Sequence, residues 1–109
     1  MRIEKPWGYE KIIEKNEKYV MKELFMKKGF QCSLQYHEIK HETVYVIKGN
    51  LHIFYNDEWR IFESGDSIIL KPGEIHRMKA VEEDCLYLEA STPELEDVVR
   101  IEDDFNRKS

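Results

Sequence analysis

The sequence predicts an all-β fold, a sandwich or barrel built from many short strands. Apolar and polar residues alternate with period two in most segments, and β-branched and aromatic residues are frequent there, as is typical of half-buried strands. Turn-forming residues interrupt these segments at short intervals. The chain has 109 residues, enough for one compact domain and too few for two. We therefore expect a single domain over residues 1–109.

The strands can be assigned in order along the chain. Residues 19–26, 43–47 and 51–55 have the strongest strand character. Six breaks with turn chemistry separate such segments: Lys28-Gly29, Lys48-Gly49-Asn50, Asn56-Asp57-Glu58, Ser64-Gly65-Asp66, Pro72-Gly73 and Glu82-Glu83-Asp84. The break at Asn56 predicts a hairpin with residues 59–62 as its second strand. The break at Gly65 leads into another short strand at residues 67–70.

The segment near the carboxyl end is ambiguous. Thr92 followed by Pro93 and several acidic residues is typical of the start of a helix, with Thr92 as its cap. The β-branched residues at positions 98, 99 and 101 favour a strand instead. We predict a helix start at residues 92–97 and leave the following residues open.

The composition excludes several classes of function. The chain carries 22 acidic and 17 basic residues, a net charge of -5, which argues against nucleic-acid binding because phosphate backbones require clustered Lys and Arg. No apolar run approaches the ~18 residues of a membrane-spanning helix. The amino terminus lacks the apolar core of a secretory signal, so we expect a cytoplasmic protein. Cys32 and Cys85 lie in apolar segments and are predicted to be structural.

Four polar residues could converge on one metal ion. Gln35 and His37 point to the same face of an extended strand. Glu42 opens the next strand, and His76 follows the Pro72-Gly73 turn, so both could reach the same cavity. This mixed oxygen and nitrogen set suits Zn, Mn, Fe or Co. From spacing alone, separate histidines that are hydrogen-bonded in polar loops are the simpler interpretation.

Two stretches resemble the motifs of the cupin superfamily. The residues that match the first motif are Gly29, His37, Glu42 and Gly49, and those that match the second are Gly65 and residues 72–76. Ile39 stands where the first motif has its second histidine, so the three-histidine version of the metal site cannot form. The resemblance implies a double-stranded β-helix, or jelly-roll barrel, of the cupin (RmlC-like) type with one ligand cavity inside.

A closer resemblance covers nearly the whole chain. It is to the cupin domain of type II phosphomannose isomerases and their single-domain relatives. Four stretches match in order: residues 5–10 with Pro-Trp-Gly, residues 33–37 with Ser-Leu-Gln-x-His, His76-Arg77, and the acidic, Val-Arg run at residues 96–107. In that family a Gln-x-His pair, a Glu and a later His hold zinc. The resemblance thus implies one divalent transition metal on Gln35, His37, Glu42 and His76, zinc first, with Mn, Fe or Co as alternatives.

The resemblance also implies an activity. Its members interconvert aldose and ketose forms of a phosphorylated sugar, in the manner of mannose-6-phosphate isomerase, so a sugar phosphate or sugar nucleotide is the expected ligand. One alternative is a metal-containing module that binds a sugar without turnover. Another is a sugar-nucleotide epimerase or ketoisomerase, which the missing histidine at Ile39 counts against.

Three basic residues are candidates for substrate contacts or catalysis. Arg77 and Arg100 could bind phosphate, since a planar guanidinium holds phosphate oxygens bidentately; the alternative for each is a surface ion pair. Lys22 and Arg100 are the candidate catalytic residues, and a buried Lys22 with a lowered pKa could serve in proton transfer. A solvated Lys22 on an outer face is the competing interpretation. The sequence does not identify the general base.

We further expect a homodimer. A small β fold leaves edge strands unpaired. Residues 51–55 together with Trp59 offer more apolar surface than one small cavity requires.

Overall fold

The fold is all-β, as predicted. The computed structural model describes residues 1–105, and no helix occurs in that range, so none there could cross a membrane. Its strands are β1 (Arg2–Lys5), β2 (Gly8–Lys15), β3 (Val20–Met26), β4 (Leu34–Tyr36), β5 (Glu42–Lys48), β6 (Leu51–Tyr55), β7 (Glu58–Phe62), β8 (Ser67–Leu70), β9 (His76–Ala80), β10 (Cys85–Ser91) and β11 (Val99–Glu102).

The strands form two antiparallel sheets. One has the order β1-β2-β3-β10-β5-β8 and the other β11-β4-β9-β6-β7. Buried and more exposed residues alternate along β3, β5 and β10, which is the period-two pattern read from the sequence. One apolar core joins both sheets, with Leu24, Val44 and Tyr87 from the first and Ile53 and Met78 from the second. The fold is the predicted double-stranded β-helix.

The predicted hairpin at Asn56 is confirmed. Asn56 and Asp57 have φ values of 58° and 64°, and the strands pair through Tyr55 and Glu58 on either side of them. Two consecutive residues with positive φ make a type I′ turn, whose twist matches that of the flanking strands. Asn and Asp tolerate this conformation better than most residues do.

The predicted helix start at residues 92–97 is wrong. This segment is irregular and leads into β11, which pairs with β4. The polar groups of this segment are used elsewhere: the Thr92 hydroxyl, the expected cap, accepts a hydrogen bond from the His41 amide, and the Asp97 carboxylate accepts from the amides of residues 38–40. Capping side chains that serve a neighbouring turn leave the local helix without its N-terminal partners.

Both cysteines are free and buried, in agreement with a structural role. Burial raises the pKa of the Cys32 thiol to about 11 and that of the Cys85 thiol to about 12. Thiols with such values carry little thiolate near neutral pH and are therefore poor nucleophiles.

The amino-terminal hairpin is held against the rest of its sheet by a close contact at Gly8. Trp7, just before it, is 4% exposed and belongs to the core. A Cβ atom added at Gly8, which has a φ of +155°, would lie 1.8 Å from the main-chain oxygen of Phe25. Only glycine lets β2 approach β3 so closely, and this approach positions the β1–β2 hairpin over the interior.

We predict that Gly8→Ala lowers the free energy of unfolding by about 3 kcal/mol or more, because the methyl group meets main chain that cannot move aside. Gly65→Ala is the control: its φ is +93°, yet no atom lies within 4 Å of the added Cβ, so the cost is only about 1–2 kcal/mol of backbone strain. Urea denaturation measures both. Equal losses would contradict the importance of the Gly8 contact.

Candidate metal centre

Three buried side chains converge at one end of the interior. The Nε2 atom of His37 lies 3.1 Å from Oε1 of Glu42, and the Nε2 atom of His76 lies 3.4 Å from the same oxygen. One ligand atom from each residue falls within 4.8 Å of the other two. All three residues are at most 3% exposed. The sequence placed these residues on one site, and the structure brings them together.

The strand ends explain the convergence. His37 directly follows β4, Glu42 begins β5 and His76 begins β9. Gln35 of β4 stands opposite His76 of β9 in the sheet register. The amide of Gly73 also donates a 2.7 Å hydrogen bond to the carbonyl of His37, which ties the turn before His76 to the first histidine.

The hydrogen bonds on the far side of each imidazole determine which nitrogen faces the cluster. Nδ1 of His37 is bonded to the carbonyl oxygen of Asp97, and Nδ1 of His76 lies 3.0 Å from the carbonyl oxygen of Glu74. A carbonyl oxygen only accepts, so each Nδ1 must be the donor. Nε2 of each ring is then the nitrogen that faces Glu42. Nε2 of His37 lies 3.1 Å from Oε1 of Glu42 and donates to it when it carries a proton; once that proton is released, both rings direct a lone pair to the cluster, as metal-binding histidines do.

The charges of the cluster also suit a metal ion. Burial alone would raise the pKa of Glu42, but the hydrogen bond from His37 and the nearby charge of Lys40 outweigh burial and lower it to about 2. Burial lowers the pKa of His76. A carboxylate beside a neutral imidazole is the ligand form that binds a divalent cation. Oε2 of Glu42 and Nε2 of His76 are buried and lack a hydrogen-bond partner, so the residues fit the metal that the resemblance implies.

Two further polar side chains lie beside the cluster. Gln35 is half-buried, and its Oε1 accepts a 2.7 Å hydrogen bond from the hydroxyl of Ser33, which leaves one lone pair of the carbonyl oxygen for another partner. Lys40 is 5% exposed, and its Nζ lies 3.8 Å from Oε2 of Glu42. Sequence reasoning missed Lys40, because a lysine in a polar turn ordinarily points to solvent.

A cavity of about 700 Å³ opens from the cluster between the sheets, and it is lined by Gln35, His37 and Glu42 among others. Its volume is typical of small-ligand sites. Five basic side chains line it: Lys5, Lys15, Lys22, Lys40 and Arg100. Four acidic side chains, Glu10, Glu42, Glu89 and Glu96, line it as well, and Glu10 pairs with Lys5 and Lys22. The lining thus carries both signs of charge, and its basic groups offer contacts for an anionic ligand.

Lys22 faces the cavity, but not with the lowered pKa that proton transfer would need. It is 6% exposed, and its Nζ lies 3.1 Å from Oε1 of Glu10. Burial alone would lower the pKa of Lys22, but the charges of Glu89 and Glu10 outweigh burial and raise it. Lys22 is therefore a fixed ammonium group rather than a base, and the sequence expectation of a lowered pKa is wrong.

The structure separates the two candidate arginines. Arg100 lines the cavity and stands opposite Gln35 in the sheet register. Arg77 is not among the cavity-lining residues. Its guanidinium donates to the carbonyl oxygens of Cys32 and Glu102, at 2.9 Å and 3.3 Å, and lies 3.6 Å from the carboxylate of Asp104. Arg77 thus ties β9 to the carboxyl-terminal segment.

Glu89 is a second candidate that sequence reasoning missed. It lies on the inward face of β10, opposite Lys22 of β3 and Val44 of β5, and it lines the cavity. Burial, with the charge of Glu42 second, raises the pKa of Glu89 to about 8. The sequence does carry a signal for Glu89. It follows Cys85 and Tyr87 at intervals of two residues, so period-two alternation directs its carboxyl to the same interior face.

The chain resembles known proteins over most of its length. Residues 1–103 match the family described as mannose-6-phosphate isomerase C-terminal. The mannose-1-phosphate guanylyltransferase ManC of Salmonella typhimurium is 28% identical over 109 residues, which cover 96% of this chain and 23% of ManC. The chain therefore spans about a quarter of the length of this relative.

Solved structures share the fold. KdgF from a Halomonas species superposes with a TM-score of 0.81 and 20% identity over 89% of each chain. An RmlC-like cupin from Shewanella frigidimarina superposes with a TM-score of 0.76 and 20% identity, covering 87% of this chain and 86% of the other. These likenesses agree with the observed double-stranded β-helix. With its family match, strand topology and buried cluster, the chain belongs to the mannose-6-phosphate isomerase C-terminal family of cupin domains.

Proposed function

We propose that this domain is a metal-dependent isomerase of a phosphorylated sugar, which interconverts an aldose and a ketose as mannose-6-phosphate isomerases do. The observation that carries the proposal is the buried His37–Glu42–His76 cluster, in which two imidazole nitrogens and a carboxylate face one point. That cluster borders a cavity of about 700 Å³ whose wall carries basic as well as acidic side chains.

The chain offers four ligands for one divalent transition metal, zinc first, with Mn, Fe or Co as alternatives. They are Nε2 of His37, a carboxylate oxygen of Glu42, Nε2 of His76 and the side-chain carbonyl of Gln35. When bound, such a metal acts as a Lewis acid towards the carbonyl oxygen of the sugar. The Nδ1 hydrogen bonds to Asp97 and Glu74 keep both rings in the orientation this needs.

Glu89 is the proposed acid–base residue. Aldose–ketose isomerisation removes a proton from one carbon and delivers it to the adjacent carbon, so one group must both accept and return it. A carboxyl with a pKa of about 8 has both forms accessible near neutral pH. Lys22, opposite Glu89 in the sheet, stays protonated and stabilises negative charge on the wall when Glu89 gives up its proton.

Arg100 is the proposed phosphate contact. It lines the same cavity as the cluster, on β11, and guanidinium groups bind phosphate oxygens bidentately. Lys15, on the amino-terminal hairpin, also lines the cavity, whereas the charge of Lys5 is offset by Glu10 at 3.5 Å. A phosphate bound away from the reacting carbons holds the sugar in place through ground and transition states alike.

A sugar-binding module without turnover is the second candidate. The ammonium group of Lys40, 3.8 Å from Glu42, already offsets part of the carboxylate charge, so the cluster can persist without a metal ion. The same cavity and cations would still retain a sugar phosphate. Turnover is the property that separates the two candidates.

We predict that the metal-loaded chain converts at least one member of a panel of hexose and pentose phosphates that includes mannose 6-phosphate. His76→Ala should lower turnover and metal content by about 100-fold or more, because it removes a ligand outright. His52→Ala is the matched control, since His52 pairs with Glu82 at 2.7 Å on the surface, and it should retain both. Calorimetric binding without conversion would support the module, and neither binding nor conversion would contradict both candidates.

We predict that Glu89→Gln lowers kcat by about 10²–10⁴-fold, the range of general acid–base catalysis, yet stabilises the fold at pH 8. In the unfolded chain a Glu ionises near pH ~4.3, whereas the folded pKa is about 8. Folding therefore takes up a proton between these values, and the wild-type free energy of unfolding falls as pH rises through this window. The side-chain amide of the Glu89→Gln variant does not titrate, so the variant lacks this pH dependence.

Thermal unfolding from pH 4.5 to 8 checks the stability effect. The advantage of Glu89→Gln should grow with pH and vanish near the acidic limit, where Glu89 is neutral in both states. Glu58→Gln, at an exposed position of β7, serves as the control and should leave kcat and the pH dependence unchanged. Full activity of Glu89→Gln would remove this residue from the mechanism.

We also infer that the chain forms a homodimer, through a surface other than residues 51–55. Leu51 and Ile53 are fully buried in the core, so that stretch offers less apolar surface than its sequence indicates. The outer face of β5 and β8 instead exposes Tyr45, Ile47 and Ile69, which are 45%, 37% and 51% exposed. An apolar sheet face beside an edge strand is the kind of surface that a second copy covers.

Light scattering at micromolar concentration should then give twice the 13.2 kDa of one chain. Ile69→Lys should shift the particle to a monomer, because it places a charge in the proposed interface. Ile61→Lys, on the outer edge strand β7, is the control and should leave the dimer intact. A monomeric wild type would refute the dimer.

A further inference from the structure

Residues 92–98, here called the strap, connect β10 to β11 without regular structure. Leu95, Glu96 and Val98 of the strap line the cavity. The strap is therefore part of the wall that a ligand would touch. Its other side contacts the turn between β4 and β5, which carries His37 and leads into Glu42.

The start of the strap is bonded to the turn in both directions. The main-chain amide of Thr92 donates a 3.0 Å hydrogen bond to the carbonyl oxygen of His41, and the amide of His41 donates one of 3.0 Å to the hydroxyl of Thr92. This pair of bonds anchors the strap next to Glu42, the residue that follows His41.

The end of the strap is bonded through a single residue, Asp97. Its carboxylate accepts hydrogen bonds from the amides of Glu38, Ile39 and Lys40, at 3.1, 2.7 and 2.8 Å. Its main-chain carbonyl oxygen accepts from Nδ1 of His37. One residue thus holds the imidazole of a candidate ligand and the three amides that follow it in the chain.

These bonds are strong for an exposed turn. Although burial tends to raise the pKa of Asp97, the bonds from the amides of Ile39, Lys40 and Glu38 outweigh burial and lower it. Bonds from an amide to a carboxylate are charge-assisted and about twice as strong as neutral ones. Three of them restrain residues 38–40 between His37 and Glu42, two members of the cluster, and so limit how far those two can move apart.

We propose that Asp97 is a positioning residue for the metal centre, which holds His37 and the turn at residues 38–40 in the ligating arrangement. The inference rests on the proposed metal site and adds to it a residue that binds no metal itself. Since Asp97 belongs to the strap, it also joins the cavity wall to the cluster. Outer-shell partners of metal-binding histidines commonly change metal affinity by about 10–100-fold when removed.

The test uses Co²⁺ as a spectroscopic probe on the full chain, with affinities measured by competition with a chelator. Asp97→Ala should weaken Co²⁺ binding by about 10–100-fold and change the visible absorption bands, which report ligand geometry. Asp97→Asn keeps one acceptor oxygen, so its affinity should lie between those of the wild type and Asp97→Ala. Because Asn is the milder change, it answers the question even if the Ala variant does not fold.

Asp66→Ala is the matched control. Asp66 also accepts a 2.8 Å bond from a main-chain amide, that of Glu63, in a turn that carries none of the cluster residues. It should lose thermal stability without changing the Co²⁺ affinity or spectrum. An equal loss of affinity in Asp66→Ala would overturn the inference, because general destabilisation would then explain both.

A second measurement needs no metal. Nitrogen-15 chemical shifts of the imidazoles report which ring nitrogen carries the proton. In the wild type we expect His37 and His76 to be protonated at Nδ1. Asp97→Ala keeps the main-chain carbonyl but loses the three amide bonds that hold it against His37, so this preference should weaken at His37 alone, since His76 is held by Glu74.

The outcomes separate the inference from the proposed function. Wild-type Co²⁺ binding with unchanged affinity and tautomer in both Asp97 variants would overturn the positioning role alone. Failure of the wild type to bind Co²⁺ or Zn²⁺ would contradict the metal site and the inference together.

Discussion

The organisation of the site depends on two imidazole nitrogens that face one buried carboxylate oxygen. Oε1 of Glu42 lies within 3.4 Å of Nε2 of both His37 and His76, and carbonyl oxygens on the far sides of the rings fix the donor at Nδ1. Lone pairs so arranged repel one another unless a cation lies between them. Burying the two imidazole nitrogens and the Glu42 carboxylate together is therefore favourable only if a proton, an ammonium group or a metal ion compensates the negative charge.

The neighbouring charged groups are ordered around that constraint. Glu42 is ionised, whereas Glu89 on the adjacent strand is held neutral by burial and by the charge of Glu42. Beyond Glu89 lies the Lys22–Glu10 ion pair. Two neighbouring buried carboxylates cannot both ionise without cost, so their pKa values separate. Glu42 thus offers a fixed negative charge for a cation, and Glu89 offers a carboxyl that can take up or release a proton beside it. The proposed proton transfer next to a metal needs both.

The error at residues 92–97 shows how tertiary contacts override a local signal. Thr92, Pro93 and the acidic residues form a sound helix start by themselves. In the fold, the Thr92 hydroxyl and the Asp97 carboxylate accept from amides of residues 38–41, more than fifty positions away in the chain. A capping side chain satisfies whichever amides the fold presents, and here the distant turn also carries the candidate ligands.

The sequence by itself determined the all-β class, the turns and the family, because period-two alternation, turn chemistry and motif order are local properties. It also indicated that His37, Glu42 and His76 share one site. Only the tertiary structure decided that Arg100 lines the cavity while Arg77 ties down the carboxyl-terminal segment. The tertiary structure likewise decided the raised pKa of Glu89 and the ion pair of Lys22. The reason is that burial and the charges of distant segments set an ionisable group's state, and strand pairing brings those segments together.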